Sequence, residues 1–163
     1  MEQTQKQKKR RLKHSNLMLT VNTNDFISEN PEDPIRIEKI NRLRTAIKNV
    51  FNEDFLKYYI SLRSDDPRLP EGSAIDSNWI HPDKISIQYS IERGAKTGFL
   101  HSHIGIFISH YTIIKYELEK LKEDVKKAVA EQGWESPFIH HTYSQSANPD
   151  QTLQDYVSKN PIS

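Results

Sequence analysis

The stretch "KISIQYSIERGAKTGFLHSHIGIFIS" (residues 84–109) decides how this chain is read. It divides into two alternating runs, 84–92 and 101–109, around the loop "RGAKTGFL". Successive side chains of a strand point to opposite faces. Ile85, Ile87, Tyr89 and Ile91 therefore share one face of the first run, and Ser86, Gln88, Ser90 and Glu92 share the other. In the second run Ser102, Ile104, Ile106 and Ile108 stand against His101, His103, Gly105 and Phe107. Antiparallel pairing with Glu92 opposite His101 sets Ile85, Ile87 and Tyr89 against Ile108, Ile106 and Ile104, because directly opposed residues lie on one face. A slip of one residue would bury the polar set instead. The register predicted for this hairpin gathers Glu92, His101 and His103 at one end, on the face away from the isoleucines.

Two imidazoles and a carboxylate on a rigid strand pair make a facial set of ligands for a divalent ion, with positions left over for water or a phosphate oxygen. Oxygen and nitrogen donors suit Mg²⁺ or Mn²⁺ and leave Zn²⁺ open. The competing view is a pair of idle histidines on a polar sheet face. Glu92 in register with His101 is what lifts the group above a bare His-x-His.

Working outward, "NLMLTVNT" (residues 16–23) reads as a strand in which Leu17, Leu19 and Val21 alternate with Met18, Thr20 and Asn22. "SENPEDP" is a turn whose acids suit a helix entrance. From about Ile37 the spacing of Ile40, Leu43, Ile47, Val50 and Phe51 predicts an amphipathic helix. "KYYISLR" (residues 57–63) reads as a second strand, followed by a polar, proline-bearing loop over 64–83. Loops of that length tend to be functional or disordered. Trp79 within it either stacks on a base or packs its loop down. A long helix is expected over 112–132, with Ile114, Leu118, Leu121, Val125 and Ala128 on one face and Gly133 as its stop. A short strand follows at 138–143. The last helix opens with Asn148 as N-cap and Pro149 in its first turn. The order β-α-β-β-β-α-β-α predicts an α+β fold, with an antiparallel sheet of about five strands flanked by helices.

The chain has 163 residues and no cysteine, which excludes a disulfide framework and thiolate metal sites. No apolar run approaches the roughly 20 residues of a membrane span, so an intracellular protein without a membrane partner is expected. Residues 1–14 hold six of the 23 bases and one of the 22 acids, which leaves the body net acidic. This arm is read as a flexible basic tail, which either touches phosphate, serves as a nuclear address or is simply solvated. Residues 15–163 form the folded domain in this reading. Any nucleic-acid groove in it must be a local patch.

A second chemical element is "YVSK". On a helix, Tyr156 and Lys159 face the same side. A free tyrosine ionises only near pH 10, and a neighbouring ammonium or metal favours the phenolate a nucleophile needs. Without other context the same residues describe a core-packed tyrosine beside Leu153 with a snorkelling lysine.

Taken in order, these pieces resemble the HUH endonuclease domain of the replication initiators (Rep) of circular single-stranded DNA viruses and related plasmids. "LTVNT" (residues 19–23) looks like that family's first motif, "HSH" (residues 101–103) like its metal-binding pair and "YVSK" (residues 156–159) like its catalytic tyrosine with its lysine. Glu92 stands where the family places its acidic ligand. Ser102 departs from the bulky hydrophobe usual between the two histidines.

The resemblance implies a ferredoxin- or RRM-like HUH fold that nicks and joins single-stranded DNA at a replication origin, often in a hairpin loop. Glu92, His101 and His103 would hold Mn²⁺ or Mg²⁺, Tyr156 would attack the phosphate to give a 5′-phosphotyrosine, and Lys159 would assist. Asn22, Thr23, Lys96 and Trp79 are the candidate DNA contacts. The family's C-terminal helicase domain is not in this sequence, so the resemblance implies either a nuclease domain from a longer protein or a naturally small one. The implied location is intracellular, in the host nucleus if the source is a eukaryotic virus. A single-domain tyrosine transposase is the rival within this chemistry, and the lysine three residues after the tyrosine favours Rep. The rival from another class is a non-catalytic RRM-like nucleic-acid-binding module. That module needs aromatics exposed on the sheet, and Ser86, Gln88 and Ser90 offer none.

Overall fold

A computed structural model describes residues 14–60, 85–108 and 117–146. Its strands are β1 (His14–Phe26), β2 (Ile85–Arg93), β3 (Phe99–Ile108) and β4 (Phe138–Ser146). Its two longer helices are α1 (Pro34–Val50) and α2 (Leu118–Glu131). The basic tail up to residue 13, the 64–83 loop with Trp79, the first turn of the expected 112–132 helix and the C-terminal segment with Tyr156 and Lys159 lie outside the described residues.

The fold is α+β, as expected. The described sheet has four strands in the order β2-β3-β1-β4, every neighbour antiparallel. The strand expected at 57–63 is where the count falls short of five; its last three positions, 61–63, lie outside the described residues. Residues Leu56–Ile60 form a π-helical turn that continues a helical turn at Glu53–Phe55. Asn52 starts it, its side chain accepting from the backbone N–H groups of Asp54 and Phe55. Phe51, Phe55 and Tyr59 then pack at four-residue intervals, edge-to-face and tilted, successive ring centroids 5.0 Å apart. Tyr59 is buried, and its hydroxyl donates to Asp124 of α2 at 2.8 Å. Packing on α2 outweighs the strand preference of "YYI", because that preference is weak and follows context.

The register expected for the central hairpin is present. Glu92 faces His101, Ser90 faces His103, and Ile87 and Tyr89 face Ile106 and Ile104. The strands run further into the loop than the sequence implied, with Arg93 paired to Leu100. Gly98 closes the turn at φ +75°, a conformation glycine adopts without strain, and its N–H donates to the Gly94 carbonyl at 2.9 Å.

The inner face of the sheet carries Leu17, Leu19 and Val21 of β1, Ile104 and Ile106 of β3 and Ile91 of β2, all buried. Leu43, Ala46 and Ile47 of α1 and Leu121, Val125, Ala128 and Val129 of α2 complete this core. Each fully buried leucine or isoleucine contributes about 1.5–3 kcal/mol through the apolar surface it removes from water. α1 begins earlier than the apolar spacing implied. Pro34 fits the first turn, and Asp33 caps it by accepting from the Ile35 N–H. Ser102 is fully buried among the isoleucines, and its hydroxyl donates to the Ser90 carbonyl at 2.7 Å. That bond satisfies the polar atom that the apolar face would otherwise strand. No helix among the described residues is long and apolar enough to cross a membrane.

Candidate metal centre

The helices cover one face of the sheet, and the site lies on the other. Two rows of side chains cross all four strands there. One row is Glu92, His101, Asn22 and Phe138; the next is Ser90, His103, Thr20 and His140. Glu92, His101 and His103 converge at the corner where β2 meets β3. Glu92 Oε1 lies 2.9 Å from His101 Nε2 and 3.1 Å from His103 Nε2. One ligand atom from each of the three lies within 4.8 Å of the others, the arrangement required of a shared divalent ion. The three side chains are 18%, 10% and 24% exposed for His101, His103 and Glu92, so the group is sheltered yet reachable.

The far nitrogens of the rings are held from behind. His103 Nδ1 lies 3.2 Å from Thr20 Oγ1, and His101 Nδ1 lies 3.4 Å from the Phe99 carbonyl. A proton on Nδ1 donated to these oxygens leaves each Nε2 lone pair aimed at the common point, which is how metal-binding histidines are commonly oriented. Burial pushes the His103 imidazolium pKa down, and the neighbouring Glu92 carboxylate offsets this only in part. The shift favours the neutral imidazole, the form that ligates. The donor set fits a divalent cation on this geometry.

A cleft of about 520 Å³ opens in front of the group, lined also by Thr20, Asn22, Lys96 and Thr97. Lys96 is exposed at its rim, where an ammonium can meet a phosphate. Compared with protein-family models, with curated proteins and with solved structures, the chain gives no match. A functional reading rests on this geometry and on the order of the motifs.

Of the candidate contacts, Asn22 and Lys96 line the cleft. Asn22 also accepts from the Asn24 N–H at 2.9 Å, which helps turn the chain where Asn24 adopts φ +56°. Thr23 is placed otherwise. It is 5% exposed, and its hydroxyl donates to the Leu100 carbonyl at 2.7 Å, so it serves the fold. The structure separates the two adjacent histidines of β4. His140 shares the triad's face across Thr20 and is exposed, whereas His141 sits on the helix-covered face opposite Leu19. Tyr156, Lys159 and Trp79 lie outside the described residues.

Thr20 is the site residue that the sequence reading passed over. Alternation had placed it beside Asn22, but only the β1–β3 register sets it opposite His103. A second cleft, of about 380 Å³, lies between the aromatic turn and α2. Its Lys120 bonds Asp124 at 3.1 Å and lies 4.4 Å from the Tyr58 ring, and no metal-ligating trio lines it among the described residues.

Proposed function

We propose that this chain is a metal-dependent enzyme that nicks and rejoins single-stranded DNA through a tyrosine nucleophile, acting at a replication-origin hairpin. The observation that carries the proposal is the convergence of Glu92, His101 and His103 on one point of an open polar cleft, in a fold with two helices behind the sheet. The motif order, strand then His-Ser-His then Tyr-x-x-Lys, supports it. A bound Mn²⁺ or Mg²⁺ would supply Lewis-acid polarisation of the scissile phosphate.

The residues of the chain do the rest. Glu92 and the two imidazoles would hold the ion, and their position on the β2–β3 corner sets where the phosphate can approach. Thr20 and the Phe99 carbonyl hold the rings in one tautomer. Lys96 offers positive charge to the backbone at the rim. Tyr156 attacks the phosphorus, forming a Tyr–O–P bond as the bond to the 3′ oxygen breaks. The phenol's proton leaves and the departing 3′ oxygen gains one, so the products are a 5′-phosphotyrosine and a free 3′ hydroxyl. Lys159 favours the phenolate. The roles of Tyr156 and Lys159 rest on the motif alone.

One observation favours a second reading, a non-catalytic nucleic-acid-binding module: Phe138 is 61% exposed on the triad's face of the sheet. A single assay separates the two. Incubation with labelled single-stranded DNA and Mn²⁺ should give an adduct that survives SDS. Tyr156→Phe should lose the adduct and keep binding. An adduct that persists unchanged in Tyr156→Phe removes the nucleophile, and binding with no adduct from the wild-type chain favours the module.

A further inference from the structure

The sheet face that carries the triad also carries an aromatic residue with no role in the site as described. Phe138 is the first residue of β4 and pairs with Asn22, which pairs in turn with His101. Directly opposed residues share a face, so Phe138 stands in the same row as Glu92 and His101. It is 61% exposed, on the sheet face away from the helices. Two residues on, His140 points the same way and is also exposed. The inward set of β4 is different: Ile139, His141 and Tyr143 face Val21, Leu19 and Leu17.

The platform is held firmly. Just before β4, the Ser136 carbonyl accepts from Asn24 Nδ2 at 3.3 Å, and Trp134 Nε1–H donates to Asp25 at 2.9 Å. Both bonds tie the approach to β4 back to the bend that ends β1. β4 lies two strand spacings from β3, which places Phe138 roughly 10 Å from His101 across the sheet. That is the scale of one nucleotide, with its phosphate at the triad and its base, or the next one, at β4.

We infer that Phe138, with His140 beside it, is the base-stacking platform of this cleft, receiving the nucleobase adjoining the phosphate held at Glu92, His101 and His103. The inference rests on the DNA reading above. Stacking suits an exposed ring because every base has a π-face, so the platform adds affinity with little sequence preference. It also fits the outward face of β2, where Ser86, Gln88 and Ser90 carry no ring: the bases lie toward β4 and the phosphates toward β2 and Lys96.

The test compares a fluorescent oligothymidylate with an abasic oligonucleotide of the same length, by anisotropy in Mn²⁺. The wild-type chain should prefer the thymidylate by about tenfold, the lower part of the range for one stacked base. Phe138→Ala should lose that preference, Phe138→Trp should keep it and Phe138→Leu should not restore it. Mn²⁺ affinity and the melting temperature should be unchanged in all three, because the side chain is exposed and distant from the ligands. Wild-type chain that binds thymidylate and forms the SDS-stable adduct, with Phe138→Ala retaining the full preference, overturns the platform and leaves the nuclease reading standing. Failure of the wild-type chain to bind either oligonucleotide overturns both.

Discussion

Replacing Thr20 with valine tests whether the group at the β2–β3 corner is built for a metal. The two side chains have nearly the same shape and both favour strands, so the substitution removes a hydroxyl and little else. That hydroxyl is the partner of His103 Nδ1 at 3.2 Å. The His103 side chain is only 10% exposed, so its N–H has little access to replacement water. A neutral hydrogen bond contributes about 0.5–1.5 kcal/mol net, and leaving a buried donor unpaired costs about 1–3 kcal/mol. The long contact distance places the loss toward the lower end, about 1.5 kcal/mol, or about tenfold in Kd. This agrees with the low end of the tenfold to hundredfold penalties seen when groups behind a metal ligand are changed. The assay is Mn²⁺ titration followed by the electron paramagnetic resonance of the free ion, at a pH above the imidazole range so that protons do not compete. Thr20→Val should bind about tenfold more weakly, and Thr20→Ser, which keeps the hydroxyl, should bind nearly as the wild type does. Without metal the His103 ring can carry its proton on Nε2, 3.1 Å from Glu92, and leave Nδ1 unprotonated, so thermal stability should change by less than about 1 kcal/mol. Equal Mn²⁺ affinity in Thr20→Val and wild type would show that His103 does not depend on this contact, and the metal-site reasoning would fail with it.

Three further outcomes are expected. Mn²⁺ at a hundredfold excess over its Kd should stabilise the wild-type chain by about 2.7 kcal/mol, with EDTA reversing the gain, and Glu92→Ala should lose it; a melting curve of Glu92→Ala that still rises with Mn²⁺ would remove Glu92 from the ligand set. Burial raises the pKa of the Asp25 carboxyl, but the Trp134 and Lys39 hydrogen bonds and the Lys39 and Arg42 charges outweigh it and hold the group below its ordinary value. Its folded pKa is depressed, so its stabilising contribution is present above the ordinary carboxylate range of about 4 and fades as pH falls through the lowered value. The gap in urea stability between wild type and Asp25→Asn should therefore narrow in acid, and a gap constant across that window would refute the assignment. Gly98→Ala should cost about 1–2 kcal/mol in urea unfolding, because alanine is strained at positive φ. A Cβ there would also meet the Phe26 ring and Arg93 at 2.7 Å.

The hairpin register was legible because both strands alternate strictly, and a shift by one residue would have exchanged buried and exposed sets along their whole length. That local rule placed Glu92 opposite His101 and brought His103 to the same face before any fold was known. The same rule failed at residues 57–60. Tyr58, Tyr59 and Ile60 have strand-forming side chains, while the signal that decided the outcome was the four-residue spacing of Phe51, Phe55 and Tyr59, completed by contact with Asp124 on a distant helix. Thr20 and Phe138 were beyond sequence reading for a related reason. Their alternation could be read, but their neighbours could not, since β1 pairs with β3 and β4 across long stretches of chain. The sequence by itself determined a hairpin and the three side chains it carries to one face. The tertiary structure decided what stands beside them, because strand order is set by burying one common apolar face under two helices, and no short segment encodes that choice.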